Sequence, residues 1–90
     1  YSAMLDAVIA VEDDAALHDA MVALSQLRDN GFSAELVASG SPRKRYDKAS
    51  KIAAHALISL SMRDGECVRR MRGDDGDRAQ AIDALLFKGK

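Results

Sequence analysis

The apolar residues at the start of this chain change from a strand pattern to a helical one. Residues 7–11 form a short β-branched run that acidic residues end, which favours a strand buried on both faces. Asp13 and Asp14 can then cap a helix, and Asn30-Gly31 supplies a left-handed stop for it. The apolar residues between them fall at helical spacing, at Leu17, Ala20, Met21, Leu24 and Leu27. We therefore predict a first strand and a first helix.

A second strand and a second helix are predicted next along the chain. Residues 33–38 have the composition of a strand, which Ser39-Gly40 closes. Ser41-Pro42 favours a helix start, because serine accepts a backbone N–H bond and proline tolerates the first helical position. The helix is predicted to run from about Pro42 to about Ala54. Its apolar stripe comprises Tyr46, Ala49, Ile52 and Ala53.

The last part of the chain predicts a hairpin and a third helix. Residues 56–60 give a third strand, Arg63-Asp64-Gly65 is a turn signal, and residues 66–72 give a fourth strand. Alternation on that strand places Cys67, Arg69 and Met71 on one side and Val68, Arg70 and Arg72 on the other. The apolar residues of the last helix are Ala79, Ile82, Leu85 and Leu86. The order β-α-β-α-β-β-α predicts an α/β fold, a three-layer sandwich with a mixed, mostly parallel sheet.

The length and the charge of the chain indicate how many domains it has and where a partner is expected to bind. Ninety residues at a net charge of −1 predict one small domain, and the start at Tyr1 suggests a fragment of a longer protein. The charges are segregated, because residues 1–35 carry seven acidic residues against one basic residue. Residues 36–72 carry nine basic residues against three acidic ones. The middle of the chain is therefore where an anionic partner is expected to bind.

Several classes of protein are disfavoured. No apolar run approaches the roughly 18 residues that a membrane span needs, and the N-terminus lacks the pattern of a signal peptide. The single cysteine, Cys67, forms no internal disulfide and is consistent with a reducing compartment. We therefore expect a cytosolic or organelle-interior protein without membrane contact.

The sequence gives little support for catalysis. His18 and His55 have no partners at the spacing of a catalytic group, and together with Cys67 they match no metal-ligand pattern. Glycine-rich nucleotide-binding motifs are absent as well. We therefore predict no catalytic residue and no metal site in this domain.

The basic stretch that begins the second helix is a better candidate for function. Gly40-Ser41-Pro42 is followed by three consecutive cations, which together resemble a phosphate-contacting surface at a helix N-terminus. Lys44, Lys48 and Lys51 share one helical face. Tyr46 and Phe32 could stack on bases or pack in the core. Cations on the fourth strand could extend the surface toward unstacked RNA bases.

The chain resembles the C-terminal anticodon-binding domain of class II aminoacyl-tRNA synthetases, most closely the histidyl-tRNA synthetase version. The resemblance covers nearly the whole chain and rests on three segments, residues 8–11, 27–35 and 46–54. Two departures stand out. Residues 61–66 replace the family's Gly-Glu-x-Glu, and Ala53 stands where the family commonly has glycine.

This resemblance implies a module that positions histidine tRNA for a separate catalytic domain of the same chain. The parent enzyme would use ATP and Mg²⁺ and act as a homodimer, whereas this domain would need no cofactor. The residues predicted to bind RNA are Glu35, Arg43, Lys44, Arg45, Tyr46, Lys48, Lys51, Arg69, Arg70 and Arg72. The alternative is a diverged synthetase-like interaction, dimerisation or regulatory module without tRNA binding. A small catalytic domain of flavodoxin-like outline would need a cofactor motif that the sequence lacks.

Overall fold

A computed structural model describes residues 4–87 of the protein, so Tyr1, which suggested a longer protein, lies outside the described residues. The four strands are β1 (Leu5–Val11), β2 (Ala34–Val37), β3 (Ala54–Arg63) and β4 (Glu66–Gly73). The three helices are α1 (Leu17–Asp29), α2 (Pro42–Ser50) and α3 (Asp77–Phe87), and a 3₁₀ turn at Asp14–Ala16 precedes α1. Within residues 4–87, no helix has the length and apolar character needed to cross a lipid bilayer.

The strands form one sheet in the order β2-β1-β3-β4. β1 pairs in parallel with both β2 and β3, whereas β4 pairs antiparallel with β3. The sheet is therefore mixed and mostly parallel, and the predicted α/β class is confirmed.

The helices cover the two faces of the sheet unequally. The α1 and α3 side contains the larger core, in which alternate residues of β1 and β3, such as Ile9 and Ile58, pack against Ala20, Leu27 and other helix residues. The opposite side contains a smaller core of Val8, Ala10, Ala49 and Leu57, with Tyr46 packed against it. Within residues 4–87, α2 is the one helix on that side, and it leaves the sheet face over β3 and β4 open beside it.

The prediction of the second helix was too long at its C-terminal end. The helix ends at Ser50, because the chain must turn to bring Ala54 into register with Leu5 at the start of β3. The Leu5 amide donates to the Ala53 carbonyl at 3.0 Å, so residues 53 and 54 belong to the sheet. Ile52 is consequently 37% exposed, and its predicted place in the helix stripe is wrong.

The hairpin turn was predicted at the observed place. Asp64 and Gly65 occupy the left-handed region with φ of 54° and 82°, and Arg63 pairs with Glu66 across the turn. Two consecutive residues with positive φ suit the right-handed twist of a hairpin, and aspartate followed by glycine is a favoured pair for them. This tight turn pairs all of β4 with residues 56–63 of β3.

Candidate functional site

An open groove of about 480 Å³ lies on the uncovered part of the α2 side of the sheet. Its floor consists of side chains of β3 and β4, and Tyr46 of α2 lines it as well. A second groove, of about 320 Å³, adjoins it near the amino end of β3, since Leu57 and Arg72 line both. The open face can therefore accept an elongated ligand that lies across two strands.

Strand alternation determines which side chains face the groove. On β3, every second residue from Leu57 points to the α2 side, and Ser59 and Ser61 follow it there. Arg72 lies opposite Leu57, and Arg70 lies opposite Ser59. The floor therefore places two hydroxyls beside two guanidinium groups on an otherwise apolar surface.

The groove carries a net positive charge. Arg63, Arg70 and Arg72 line it, and none of the ion pairs found within residues 4–87 includes them. One acidic residue, Glu12, lies in the same groove directly after β1. Because Arg70 and Arg72 are exposed, their guanidinium groups can bind phosphate oxygens.

The helix α2 adds exposed cations next to this groove. Arg43, Lys44 and Lys48 are exposed on α2, and Lys51 is exposed immediately after its last residue. The Lys48 ammonium group donates to the Ser39 carbonyl at 3.3 Å. These four residues were predicted to form a basic surface, and the structure places all four at the surface.

Arg45 is the exception, and its predicted place on the basic surface is wrong. Arg45 is only 6% exposed. Its guanidinium group donates to the Val11 and Gly40 carbonyls at 3.2 and 2.9 Å and pairs with the Asp14 carboxylate at 2.7 Å. It therefore joins the start of α2 to the end of β1, and its guanidinium group is already engaged within the domain.

Arg69 also lies away from the groove. It sits on the α1 side of β4, where its guanidinium group contacts both carboxylate oxygens of Asp19 at 2.8 and 3.0 Å. Hydrogen bonding from Arg69 lowers the pKa of Asp19, so this ion pair stays charged to a lower pH than an ordinary aspartate would allow. Arg69 thus attaches β4 to α1 and does not share a surface with Arg70 and Arg72.

Cys67 belongs to the same cluster on the α1 side. Its thiol donates to the Asp19 carboxylate at 3.3 Å. Partial burial and this hydrogen bond raise the pKa of Cys67. A raised pKa disfavours the thiolate, so the contact does not prepare Cys67 as a nucleophile.

Glu35 lies at the other edge of the sheet. It is exposed on β2, whereas Arg70 and Arg72 lie on β4. Three strand spacings, about 14 Å, separate these two edges. The predicted residues therefore divide into a groove group (Tyr46, Arg70 and Arg72), an α2 group (Arg43, Lys44, Lys48 and Lys51) and the outlying Glu35, Arg45 and Arg69.

Sequence reasoning missed the apolar lining of the groove and four polar or charged residues that line it, Glu12, Ser59, Ser61 and Arg63. A signal for some of them was present. Ser59 and Ser61 interrupt an apolar strand at alternate positions, which is typical of a strand whose one face meets solvent. Glu12 continues the alternation of Val8 and Ala10, which places it on the same face of the sheet. The sequence does not show which residue of β3 it lies beside, so its place in the groove could not be predicted.

His55 also has a partner that the sequence did not reveal. Its Nδ1 atom lies 2.7 Å from an oxygen of Asp74, and hydrogen bonding from His55 lowers the pKa of that carboxyl group. The Asp74 amide donates to the His55 carbonyl at 3.0 Å, so the pair joins the start of β3 to the loop before α3. Among residues 4–87, no three His, Cys, Asp or Glu side chains are grouped so that they could hold a metal ion.

The sequence of this chain is similar to part of an aminoacyl-tRNA synthetase. It is 51% identical over 84 residues to the histidine–tRNA ligase of Novosphingobium aromaticivorans. The matched region covers 93% of this chain and 20% of that ligase, so the chain spans about a fifth of the length of this relative. No model of a protein family matches the chain.

A solved structure of a synthetase has a fold similar to that of this chain. The apo form of S. aureus histidyl-tRNA synthetase aligns with 97% of this chain and 27% of its own, with a TM-score of 0.55 and 22% identity. That likeness establishes a shared fold. Together with the sequence match, it confirms the resemblance to histidyl-tRNA synthetases, and the chain is a synthetase-related domain.

Proposed function

We propose that this chain is the anticodon-binding domain of a histidyl-tRNA synthetase-like protein. The observation that carries the proposal is the open groove in which Arg70 and Arg72 lie beside Tyr46 without ion-pair partners among residues 4–87. Single-stranded RNA is commonly recognised in this way, because its unstacked bases contact exposed side chains while cations bind its phosphates.

The cations of α2 and the cations of the groove bind different parts of the RNA. The exposed cations of α2 (Arg43, Lys44, Lys48 and Lys51) neutralise phosphates along the helix and orient the strand. The bases lie on the face of β3 and β4, where Leu57 and Val68 supply apolar surface and Tyr46 supplies an aromatic ring. Arg70 and Arg72 bind the phosphates of the nucleotides that occupy the groove.

The resemblance extends the proposal to the parent protein. It would ligate histidine to its tRNA with ATP and Mg²⁺ in a separate catalytic domain, and it would act as a homodimer in the cytoplasm or the interior of an organelle. This domain contributes tRNA binding, and no catalytic step is assigned to its residues. The histidine–tRNA ligase from N. aromaticivorans is the sequence relative that supports this assignment.

The double variant Arg70→Gln, Arg72→Gln tests the proposed surface. We expect its affinity for histidine tRNA to fall at least tenfold, because each arginine contributes a charge-assisted contact. The slope of log affinity against log salt should decrease by about 0.7 for each lost contact to single-stranded phosphate. Fluorescence anisotropy with labelled tRNA at several salt concentrations measures both quantities.

Arg28→Gln is the matched control. Arg28 is exposed on α1, on the other side of the sheet, and its guanidinium group donates to the Ala34 carbonyl at 2.9 Å. Its loss removes one positive charge outside the groove, and circular dichroism checks that the fold is retained without this hydrogen bond. The affinity of the Arg28→Gln variant for tRNA should stay close to that of the unmodified chain. If Arg28→Gln lost half as much binding free energy as the double variant, which removes twice the charge, general charge rather than the groove would determine binding.

A second function is favoured by one observation on α1. Leu17, Met21 and Val22 are 38%, 53% and 41% exposed, which is unusual for large apolar residues that lie within six positions of one another. This surface suits the alternative of a protein interaction or dimerisation module. Sedimentation of the chain with and without tRNA separates the two functions. A stable dimer that tRNA does not alter supports the interaction module, and a monomer that binds tRNA supports the anticodon-binding domain.

A further inference from the structure

Glu12 has no structural role comparable to those of the two acidic residues that follow it. Asp13 caps the turn before α1, since its carboxylate accepts from the Ala15 amide at 2.9 Å. Asp14 pairs with Arg45 at 2.7 Å. The Glu12 carboxylate accepts no hydrogen bond and forms no ion pair within residues 4–87, and only its backbone amide is bonded, to the Leu60 carbonyl at 2.9 Å. It is a half-buried acid that the fold leaves without a partner.

Its position makes this carboxylate part of the groove. Because Val11 pairs with Leu60 in the register of β1 and β3, Glu12 lies beside Ser61 on the α2 side of the sheet. Arg70 lies on the same side, on the strand beyond β3. Arg70 pairs with Ser59, two residues from Ser61, so the backbones at Glu12 and Arg70 are separated by two strand spacings and a two-residue shift along the strand, about 12 Å in all. One nucleotide can span this distance with its phosphate at the end of the Arg70 side chain and the edge of its base at Glu12.

The charge of the groove disfavours a cation as the partner of Glu12. Arg63, Arg70 and Arg72 line the same groove, so its net charge is positive and a metal ion would be repelled there. A carboxylate in such a place binds a neutral group that donates hydrogen bonds. It offers two oxygen acceptors and no donor, so it matches a partner with two adjacent N–H groups.

Among the four standard bases, only guanine has such an edge. Its Watson–Crick edge carries the N1–H and N2–H₂ donors side by side, whereas adenine and cytosine place one donor beside an acceptor. Uracil carries one donor between two acceptors, which a carboxylate would repel. The geometry points to Glu12 as a specificity-determining residue, and we infer that this groove selects an unpaired guanine through two hydrogen bonds to the Glu12 carboxylate.

This inference rests on the proposed function, because it assigns a base preference to the same groove. The test measures binding of short single-stranded RNAs to the 90-residue chain. The probes are the heptamers UUUGUUU, UUUIUUU, UUUAUUU and UUUUUUU, where I is inosine, which lacks the N2 amino group of guanine. We expect the guanine heptamer to bind about tenfold more tightly than the inosine heptamer, since a hydrogen bond to a charged group is lost.

The variant Glu12→Gln is a second test, because it should reduce the preference for guanine without weakening binding of the uridine heptamer. Glutamine offers one acceptor and one donor, so the preference for guanine over inosine should fall below about twofold. Binding of the uridine heptamer should stay equal or become tighter, because a negative charge leaves the groove. Circular dichroism of the variant checks that the fold is retained, and the inosine comparison itself needs no variant.

The outcomes distinguish the inference from the proposed function. If all four heptamers bind with equal affinity, the guanine preference is wrong and RNA binding by the groove still stands. If guanine is preferred and Glu12→Gln keeps that preference, another residue makes the selection and the inference is overturned. If no heptamer and no tRNA binds, the proposed function fails and the inference fails with it.

Discussion

We expect Arg45→Ala to lower the free energy of unfolding by about 2–4 kcal/mol, since it removes charged hydrogen bonds from a buried site. The guanidinium group donates to the carbonyls of Val11 and Gly40, and alanine would leave both carbonyls without this donor. The loss would be a large part of the 5–15 kcal/mol that is typical of whole domains. Urea denaturation followed by circular dichroism measures it.

Arg43→Ala is the control for this prediction. Arg43 lies on the same helix, two residues away, and is exposed, so its loss should change the free energy of unfolding by no more than about 0.5 kcal/mol. The two variants should show the opposite order in RNA binding, where Arg43→Ala weakens binding more than Arg45→Ala when both are folded. Equal stability of the two variants would show that the contacts of Arg45 add nothing to the fold.

Arg43, Lys44 and Arg45 illustrate which part of the site can be predicted from sequence. Three consecutive cations at a helix start indicate a basic surface, and two of the three are exposed. A helix turns by about 100° per residue, so one of the three must point in another direction. Which one meets the end of β1 depends on how α2 crosses the sheet, and that angle is a tertiary property.

The hairpin was predictable to a greater extent because its information is local. Asp64-Gly65 specifies a tight turn, and period-two alternation then separates Arg69 from Arg70 and Arg72 as predicted. The groove itself was not predictable, since it depends on which strand each partner lies beside. Glu12 joins it only because β3 pairs with β1 in a register that places Leu60 beside Val11.

The helix α1 shows where the hydrophobic pattern is only partly right, because Ala20, Leu24 and Leu27 of the predicted stripe lie in or against the core and the other two residues do not. The predicted stripe included Leu17 and Met21, which are 38% and 53% exposed. The fully buried residues of the helix are Ala20, Ala23 and Leu27, and Ala16 of the preceding turn is buried with them. Small side chains let a helix approach a sheet closely, so size complementarity outweighed hydrophobicity in selecting the buried face.

We expect Ala20→Leu to lower the free energy of unfolding by about 1–3 kcal/mol, because a larger side chain does not fit between α1 and the sheet. Ala20 is fully buried, so the added atoms must displace either the helix or its neighbours in the core. The larger apolar residue therefore destabilises this helix, although it strengthens the hydrophobic pattern of the sequence. Thermal and urea denaturation of the variant measure the change.

Met21→Ala is the adjacent control, and we expect it to change the free energy of unfolding by no more than about 0.5 kcal/mol. Met21 is 53% exposed, and alanine has the higher helix propensity, so the small loss of apolar contact is offset. The opposite order, with a stable Ala20→Leu and an unstable Met21→Ala, would mean that α1 is rotated about its axis. Such a rotation would bury Met21, and it would also remove the exposed apolar surface on which the alternative interaction module depends.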